Sequence, residues 1–169
     1  MPAITLRPRA IFGPHDKTLF PRILRASKDG GVPSFSNKNP FVDITYVDNV
    51  AHALWLAINA PLSCFGQKYN ITNGEPASLQ YILRLLFNEL SIPWKTRNIP
   101  YPLAYLAAWL SELKGSVTGK EPSLTRYGVG VLTYAQTLSI EKAKRELNYR
   151  PIISLNEGIR QYAHWLQTQ

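Results

Sequence analysis

The stretch FVDITYVDNVAHALWLAINA, Phe41–Ala60, decides the class of fold. Its first seven residues, Phe41 to Val47, carry the β-branched and aromatic content of a strand. From Val50 onward the spacing changes to that of a helix, with Val50, Leu54, Ala57 and Ile58 forming one apolar face. Asp48 stands between the two as the expected N-cap, because its carboxylate can accept from the free amides of a first turn. A strand that runs directly into a helix is the repeating unit of α/β proteins.

Similar units lie on either side. Upstream, ITLRPRAIFGPHD, Ile4–Asp16, reads as a buried strand closed by Pro8, a second short run AIF, and a Gly13-Pro14 break. A helix is expected from about Thr18, with Pro21 in its first turn and Gly30-Gly31 at its end. VPSFSNKN then reads as an irregular polar loop. Downstream, QKYNIT is a short strand and NGEP a turn. Ser78 is expected to cap a helix whose Leu79, Ile82, Leu83, Leu86, Phe87 and Leu90 share one face. WKTRNIP is a third possible strand, followed by an apolar helix over residues 102–113. KGSVTGKEP reads as a flexible loop, and a helical stretch from Ser123 contains Gly128 and Gly130. Ser139 is expected to cap IEKAKREL, which Asn148 and Pro151 stop. SLNE, Ser154–Glu157, opens the last helix with a capping box; Leu155, Ile159, Tyr162, Ala163 and Leu166 form its stripe.

Composition narrows the function classes. The 169 residues are 45% hydrophobic and 18% charged, which is the balance of a globular chain. One cysteine, Cys64, leaves no internal disulfide and fits a reducing compartment, so a cytoplasmic location is expected. No leader peptide is expected, and IPYPLAYLAAWLSEL, Ile99–Leu113, is too short to cross a bilayer, which takes about 20 residues. That segment reads as a buried or lid helix, with peripheral membrane contact as its other use. The net charge is +8, and residues 1–40 hold seven basic groups against Asp16 and Asp29. No basic helix stripe, stacking motif or zinc-finger spacing accompanies them, so nucleic acid is not the expected partner. His15, His52 and His164 are scattered without metal-ligand spacing, and no metal is expected. No nucleophile elbow, phosphate loop or zinc-helix motif is present.

The order of several weak motifs carries more than any one of them. LRPRAIFGP precedes FVDITYVDNVAHALWLAI, then come GQKYNITNGEP, EPSLTR and LSIEKAKRELNYRPIISLNEGI. This series resembles the C-terminal part of the extended short-chain dehydrogenase/reductases, the NAD-dependent epimerase/dehydratase superfamily. The nearest likeness is to the 3β-hydroxysteroid dehydrogenase branch. The resemblance covers nearly the whole chain. It implies a Rossmann-like α/β fold with a few strands and several amphipathic helices, the N-terminal nucleotide-binding half being absent from these residues. Residues 1–16 would then be the last Rossmann strands with the nicotinamide-side loop, and 17–169 the substrate-binding and lid region.

The resemblance also implies site residues. Pro8, Arg9, Ala10 and Ile11 would lie along NAD or NADP, mainly through backbone. Phe12, His15, Phe41 and Tyr46 would face an apolar small-molecule substrate, steroid-like or a β-keto acid. Helix 102–113 and the loop to Ser123 would form a lid. The family's glycine-rich loop and Tyr-x-x-x-Lys pair are missing: none of the ten glycines has the spacing, and no tyrosine has a lysine four residues on. No catalytic residue can therefore be assigned here, and the isolated chain is expected to be inactive. Its partners would be a missing Rossmann half or a second copy. A nucleotide-sugar epimerase/dehydratase fragment, or a non-enzymatic binding module, are the alternatives.

Overall fold

The computed structural model describes residues 3–28, 30–34, 39–119, 122, 124–131 and 133–169. Residues 35–38 of the expected polar loop, and Lys120, Glu121 and Ser123 of the expected lid loop, lie outside the described residues. The elements run Thr5–Pro8 (β1), Ile11–Phe12 (β2), Phe20–Lys28 (α1), Val32–Ser34 (β3), Phe41–Val42 (β4), Thr45–Tyr46 (β5) and Val47–Ile58 (α2). After a short 3₁₀ turn at Leu62–Cys64 come Lys68–Ile71 (β6), Ala77–Ser78 (β7), Leu79–Glu89 (α3) and Thr96–Asn98 (β8). Four helices complete the described chain: Tyr101–Thr118 (α4), Arg126–Val131 (α5), Glu141–Leu147 (α6) and Leu155–Gln167 (α7). The fold is α/β, as the strand-to-helix unit implied.

Strands pair two by two. β1 runs parallel to β6, β2 to β5, and β3 to β8, while β4 is antiparallel to β7. Among the described residues β1 pairs with β6 alone. The segment β5–α2–β6 is a crossover between neighbouring parallel pairs, which is why a helix must intervene. The main core lies between β2, β5, α1, α3 and α7, and includes Phe12, Phe20, Leu86, Phe87, Ile159 and Tyr162. A second cluster packs α2 and α6 on β6 through Ala53, Tyr69, Ile71, Ala143 and Tyr149. α4 and α5 have a cluster of their own, Ala104, Ala108 and Val129.

Where local chemistry decides, the elements follow the sequence. The hydroxyls of Ser78 and Ser154 accept from the amides of Tyr81 and Glu157, and α3 and α7 bury the expected stripes. Several expectations are corrected, three of them by distant partners. Phe41–Val47 is not one strand: the amide of Asp43 donates to the carbonyl of Gln136, and its carboxylate accepts from the amide of Leu138 (2.7 Å), which breaks the run into β4 and β5. Asp48 is not the N-cap of α2. Tyr46 holds that position in extended backbone, its amide donating to Oδ1 of Asn73, and Asp48 is exposed in the first turn, where its charge suits the helix dipole. The buried residues of α2 are Asn49 and Ala53, so Leu54 and Ile58 point outward. Part of the polar loop is strand, Val32–Ser34, because β8 supplies a partner. α4 is also longer than expected and buries only Ala104 and Ala108, and the N-cap of α6 falls on Ile140, with the Ser139 hydroxyl still accepting from Glu141.

A buried amide clasp joins these pieces. Oδ1 of Asn49 accepts from the amides of Ile152 and Ile153 (2.8 and 3.0 Å), and its Nδ2 donates to Oδ1 of Asn73 and to the carbonyl of Ile153 (both 2.8 Å). Nδ2 of Asn73 also donates to Ile153 (3.1 Å). Both side chains are buried. Each bond lost there leaves a buried partner unsatisfied, at about 1–3 kcal/mol apiece. Asn49→Ala is therefore expected to lower unfolding free energy by about 3 kcal/mol or more. Asn59→Ala, which removes one exposed bond to Trp55, should cost about 0.5 kcal/mol or less. Urea unfolding of the two variants checks this; equal losses would remove the clasp from its central role.

Four buried tyrosines resist ionisation in the fold. Burial pushes Tyr69, Tyr149 and Tyr162 well above the ordinary phenol value, with hydrogen bonds to Cys64 and Glu146 adding at Tyr69 and the charge of Asp16 adding at Tyr162. Tyr46 is raised by burial, then by the carboxylates of Asp48 and Glu157. A raised folded value gives stability that is complete below the unfolded value of about 10 and is lost as pH climbs through it towards the folded value. Urea midpoints should thus stay level from neutral pH to about 9.5 and fall beyond about 10. Tyr149→Phe should flatten that fall; an unchanged slope would show that Tyr149 ionises freely.

Candidate functional site

The C-terminal ends of parallel strands are where α/β sheets place ligands. Here β1 and β6 end at Pro8 and Ile71, and β2 and β5 end at Phe12 and Tyr46. Arg9 and Ala10 form the turn that carries the chain from one pair to the other. The amide of Arg9 donates to Ile71, and the amide of Thr45 donates to the carbonyl of Ala10 (3.2 and 3.1 Å). The Thr45 hydroxyl sits between the carbonyls of Arg9 and Ile71, donating at 2.5 and 3.2 Å. Ala10 has φ +45°, a left-handed conformation that a side chain adopts only where the surroundings hold it. The wall made by Pro8, Arg9, Ala10 and Ile11 is therefore rigid and largely closed to extra hydrogen bonds on its inner side. Ile11 is exposed on the outer side.

Behind this wall lie Phe12 and Tyr46, both buried, with ring centres 5.4 Å apart. The Tyr46 hydroxyl donates to Oε1 of Gln161 (2.8 Å), on α7. α7 reaches them because it presents a glycine: a Cβ on Gly158 would lie 2.8 Å from Cδ2 of Tyr46 and 3.1 Å from Cζ of Phe12. Gly13 serves a similar purpose at the end of β2. Its φ is +148°, and a Cβ there would lie 2.6 Å from Cγ1 of Val47. Phe12 and Tyr46 are thus set in the core, as backing for the turn.

The other two substrate-side candidates stand at the surface. His15, at φ +68°, is exposed with its ring 5.1 Å from Trp165. Phe41 is 55% exposed at the start of β4, opposite Ser78. Larger concavities are lined by other residues. One of about 480 Å³ lies between the end of α1 and Ile92–Lys95, and one of about 370 Å³ lies beside Cys64, Gln67 and Glu146. Among the described residues no group of His, Cys, Asp or Glu can hold a metal ion.

Three polar groups at this site were not singled out from the sequence. Thr45 and Asn73 tie the strand ends together. Asp43 is 1% exposed, and while its Oδ2 accepts from Leu138, its Oδ1 has no hydrogen-bond partner among the described residues. Nε of Arg9 is buried and equally unpartnered. A carboxylate inside a β-branched run was the one sequence signal for Asp43, since a charge is seldom buried without a task.

The comparisons with known proteins agree with the motif order. The pattern of the 3-beta hydroxysteroid dehydrogenase/isomerase family matches residues 1–103. The uncharacterized protein YbjS of Escherichia coli is 41% identical over 165 residues, covering 96% of this chain and 49% of that protein. A 2-alkyl-3-oxoalkanoate reductase of Stenotrophomonas maltophilia is 33% identical, covering 93% of this chain and 49% of the reductase. Among solved structures, UDP-glucuronic acid 4-epimerase from Bacillus cereus in complex with NAD shares the fold, with a TM-score of 0.68 at 19% identity, over 99% of this chain and 44% of the epimerase. The chain spans about half the length of the curated relatives it matches. On a family match over more than half its residues, the chain belongs to the 3-beta hydroxysteroid dehydrogenase/isomerase family of extended short-chain dehydrogenase/reductases.

Proposed function

We propose that this chain is the substrate-side portion of a nicotinamide-dependent oxidoreductase that acts on a hydroxyl or keto carbon of an apolar substrate, steroid-like or a β-keto acid. The observation that carries the reading is the turn Pro8–Ile11 at the joint C-terminal ends of two parallel strand pairs, in a chain of this family. The 2-alkyl-3-oxoalkanoate reductase supports the substrate class by its name and its identity.

The residues present fit the nicotinamide end of NAD or NADP. The wall is largely apolar and fixed in shape, and Nε of Arg9 is a buried donor without an acceptor among the described residues. They offer nothing for the cofactor's phosphates, since the 169 residues contain no glycine-rich loop. When bound, the nicotinamide would supply or accept the hydride. The chain's own part is positioning. Pro8–Ile11 would orient the ring through backbone and the Ile11 side chain, with Phe12 and Tyr46 holding that backbone from behind. Phe41 and His15 would lie on the substrate side, and α4 and α5 would close over an apolar ligand and exclude water. Acid–base chemistry and phosphate binding would come from residues outside this sequence.

Two assays test this. The 169-residue chain alone is expected to oxidise neither NADH nor NADPH above background with a 2-alkyl-3-oxo acid; clear turnover would place the catalytic groups within it. A chimera joining the preceding half of the Escherichia coli relative to this chain is expected to reduce such an acid. Ile11→Asp in that chimera should lower kcat/KM at least about tenfold, by replacing apolar contact with a desolvated charge. A chimera that folds, binds cofactor and shows no reductase activity on any apolar keto substrate would sink the reading.

A further inference from the structure

Arg9 carries the one charge at the strand ends that the fold leaves unanswered among the described residues. Its Nε is buried without an acceptor, and no ion pair joins its guanidinium to a described carboxylate. Asp43, two residues before Thr45, is the buried carboxylate of this region, and it does not meet the need. Its Oδ2 accepts from the amide of Leu138, and its Oδ1 has no partner either. A guanidinium stays protonated throughout the working pH range of a protein. A charged donor kept dry and unpaired is costly, so it marks a place that a ligand completes.

The root of this side chain is fixed. The amide of Arg9 donates to Ile71, its carbonyl accepts from the Thr45 hydroxyl, and Ala10 leaves it at φ +45°. The guanidinium therefore starts from a set position at the C-terminal ends of two parallel strand pairs. Arg9 as a whole is only partly buried, so a ligand can reach it from outside. Ile11, two residues on, is 43% exposed. One turn thus offers a fixed cation and an apolar side chain, which suit an anion carried on hydrocarbon. The nicotinamide ring supplies no such anion, being neutral when reduced and positive when oxidised. A neutral steroid would leave the guanidinium unpaired. A β-keto acid brings a carboxylate only two bonds from its reacting carbon, and guanidinium pairs with carboxylate through two parallel hydrogen bonds.

We propose that Arg9 holds the carboxylate of a 2-alkyl-3-oxo acid, and so selects a β-keto acid over a neutral steroid. The identity of the ligand rests on the oxidoreductase reading above; the anion site rests on Arg9 itself. The full 169-residue chain is to be titrated by calorimetry with 2-butyl-3-hydroxyoctanoate, the stable reduced form of such an acid, and with its methyl ester. The acid is expected to bind at least about tenfold more tightly than the ester, through the charge-assisted pair. Arg9→Met should lower the acid to the affinity of the ester and leave the ester unchanged. Arg9→Gln, which keeps a polar end on a shorter stem, should do the same. Equal binding of acid and ester by the unsubstituted chain, no binding of either, or a preference that survives both substitutions would overturn the proposal. An equal fall for acid and ester in both variants would also overturn it, by making Arg9 a purely structural residue. So would displacement of the acid by an equal concentration of inorganic pyrophosphate, because the guanidinium would then serve the phosphates of a dinucleotide or nucleotide sugar. A chimera that reduces no keto substrate sinks the enzyme reading alone, since an Arg9-dependent preference read by binding stands without turnover.

Discussion

Everything at the strand ends depends on two side-chain amides in contact, Asn49 and Asn73. An amide group has two donors and two acceptor sites, so a buried pair can tie several backbones together without charge. Here the pair reaches the start of α2, the end of β6 and the segment 152–153 that feeds α7. The capping amide of Tyr46 donates to the same Asn73 oxygen that takes Nδ2 of Asn49. Fixing residues 152–153 fixes where α7 begins, and α7 then brings Gly158 against Phe12 and Tyr46. The position of the Pro8–Ile11 wall is thus set by an interaction two layers behind it. A polar clasp suits this role better than packing alone, since a hydrocarbon contact tolerates sliding whereas an amide pair has one register.

The same geometry explains how the polar and apolar parts of the site divide their work. Thr45 and Asn73 consume the backbone groups at the strand ends, leaving few inward donors or acceptors there. Phe12 and Tyr46 fill the volume behind, and Gly158 makes room for them. A larger residue at 158 would push α7 away from both rings and loosen the backing of the turn. The Tyr46 hydroxyl is spoken for by Gln161, whose own amide donates to Glu157. Tyr46 is therefore a support residue with a satisfied polar end, which agrees with its raised pKa and with the absence of a lysine four residues on.

How much of this was legible in the sequence depended on the range of the forces. Ser78, Ser154 and the stripes of α3 and α7 were readable because caps and helical faces involve residues three or four apart. The family was readable from the order of motifs, each weak by itself. The split of Phe41–Val47, the cap of α2 and the strand at Val32–Ser34 were not, because Gln136, Asn73 and Thr96–Asn98 decide them from far along the chain. At the site, the family resemblance pointed to Phe12 and Tyr46 as facing the substrate, but could not show that both side chains are buried here. It passed over Asn49 and Asn73, which lie 24 residues apart and whose shared partner, Ile153, is farther still along the chain.

Asp43 joins the turn at the strand ends to the segment that follows α5. The α4–α5 unit has three small buried residues at its centre, Ala104, Ala108 and Val129, against the many large ones of the main core. Among the described residues, backbone pairing flanks this unit on both sides. One tie is β3 with β8, before α4. The other lies after α5, where Gln136 bridges β4 and Leu138 donates to Asp43. Burying a carboxylate with one oxygen unsatisfied is costly, so the remaining bond to Leu138 carries unusual weight. Thr45, two residues after Asp43, is bonded to the Arg9–Ala10 turn. Leu138 is therefore tied, through Asp43, Ile44 and Thr45, to the backbone of the Arg9–Ala10 turn.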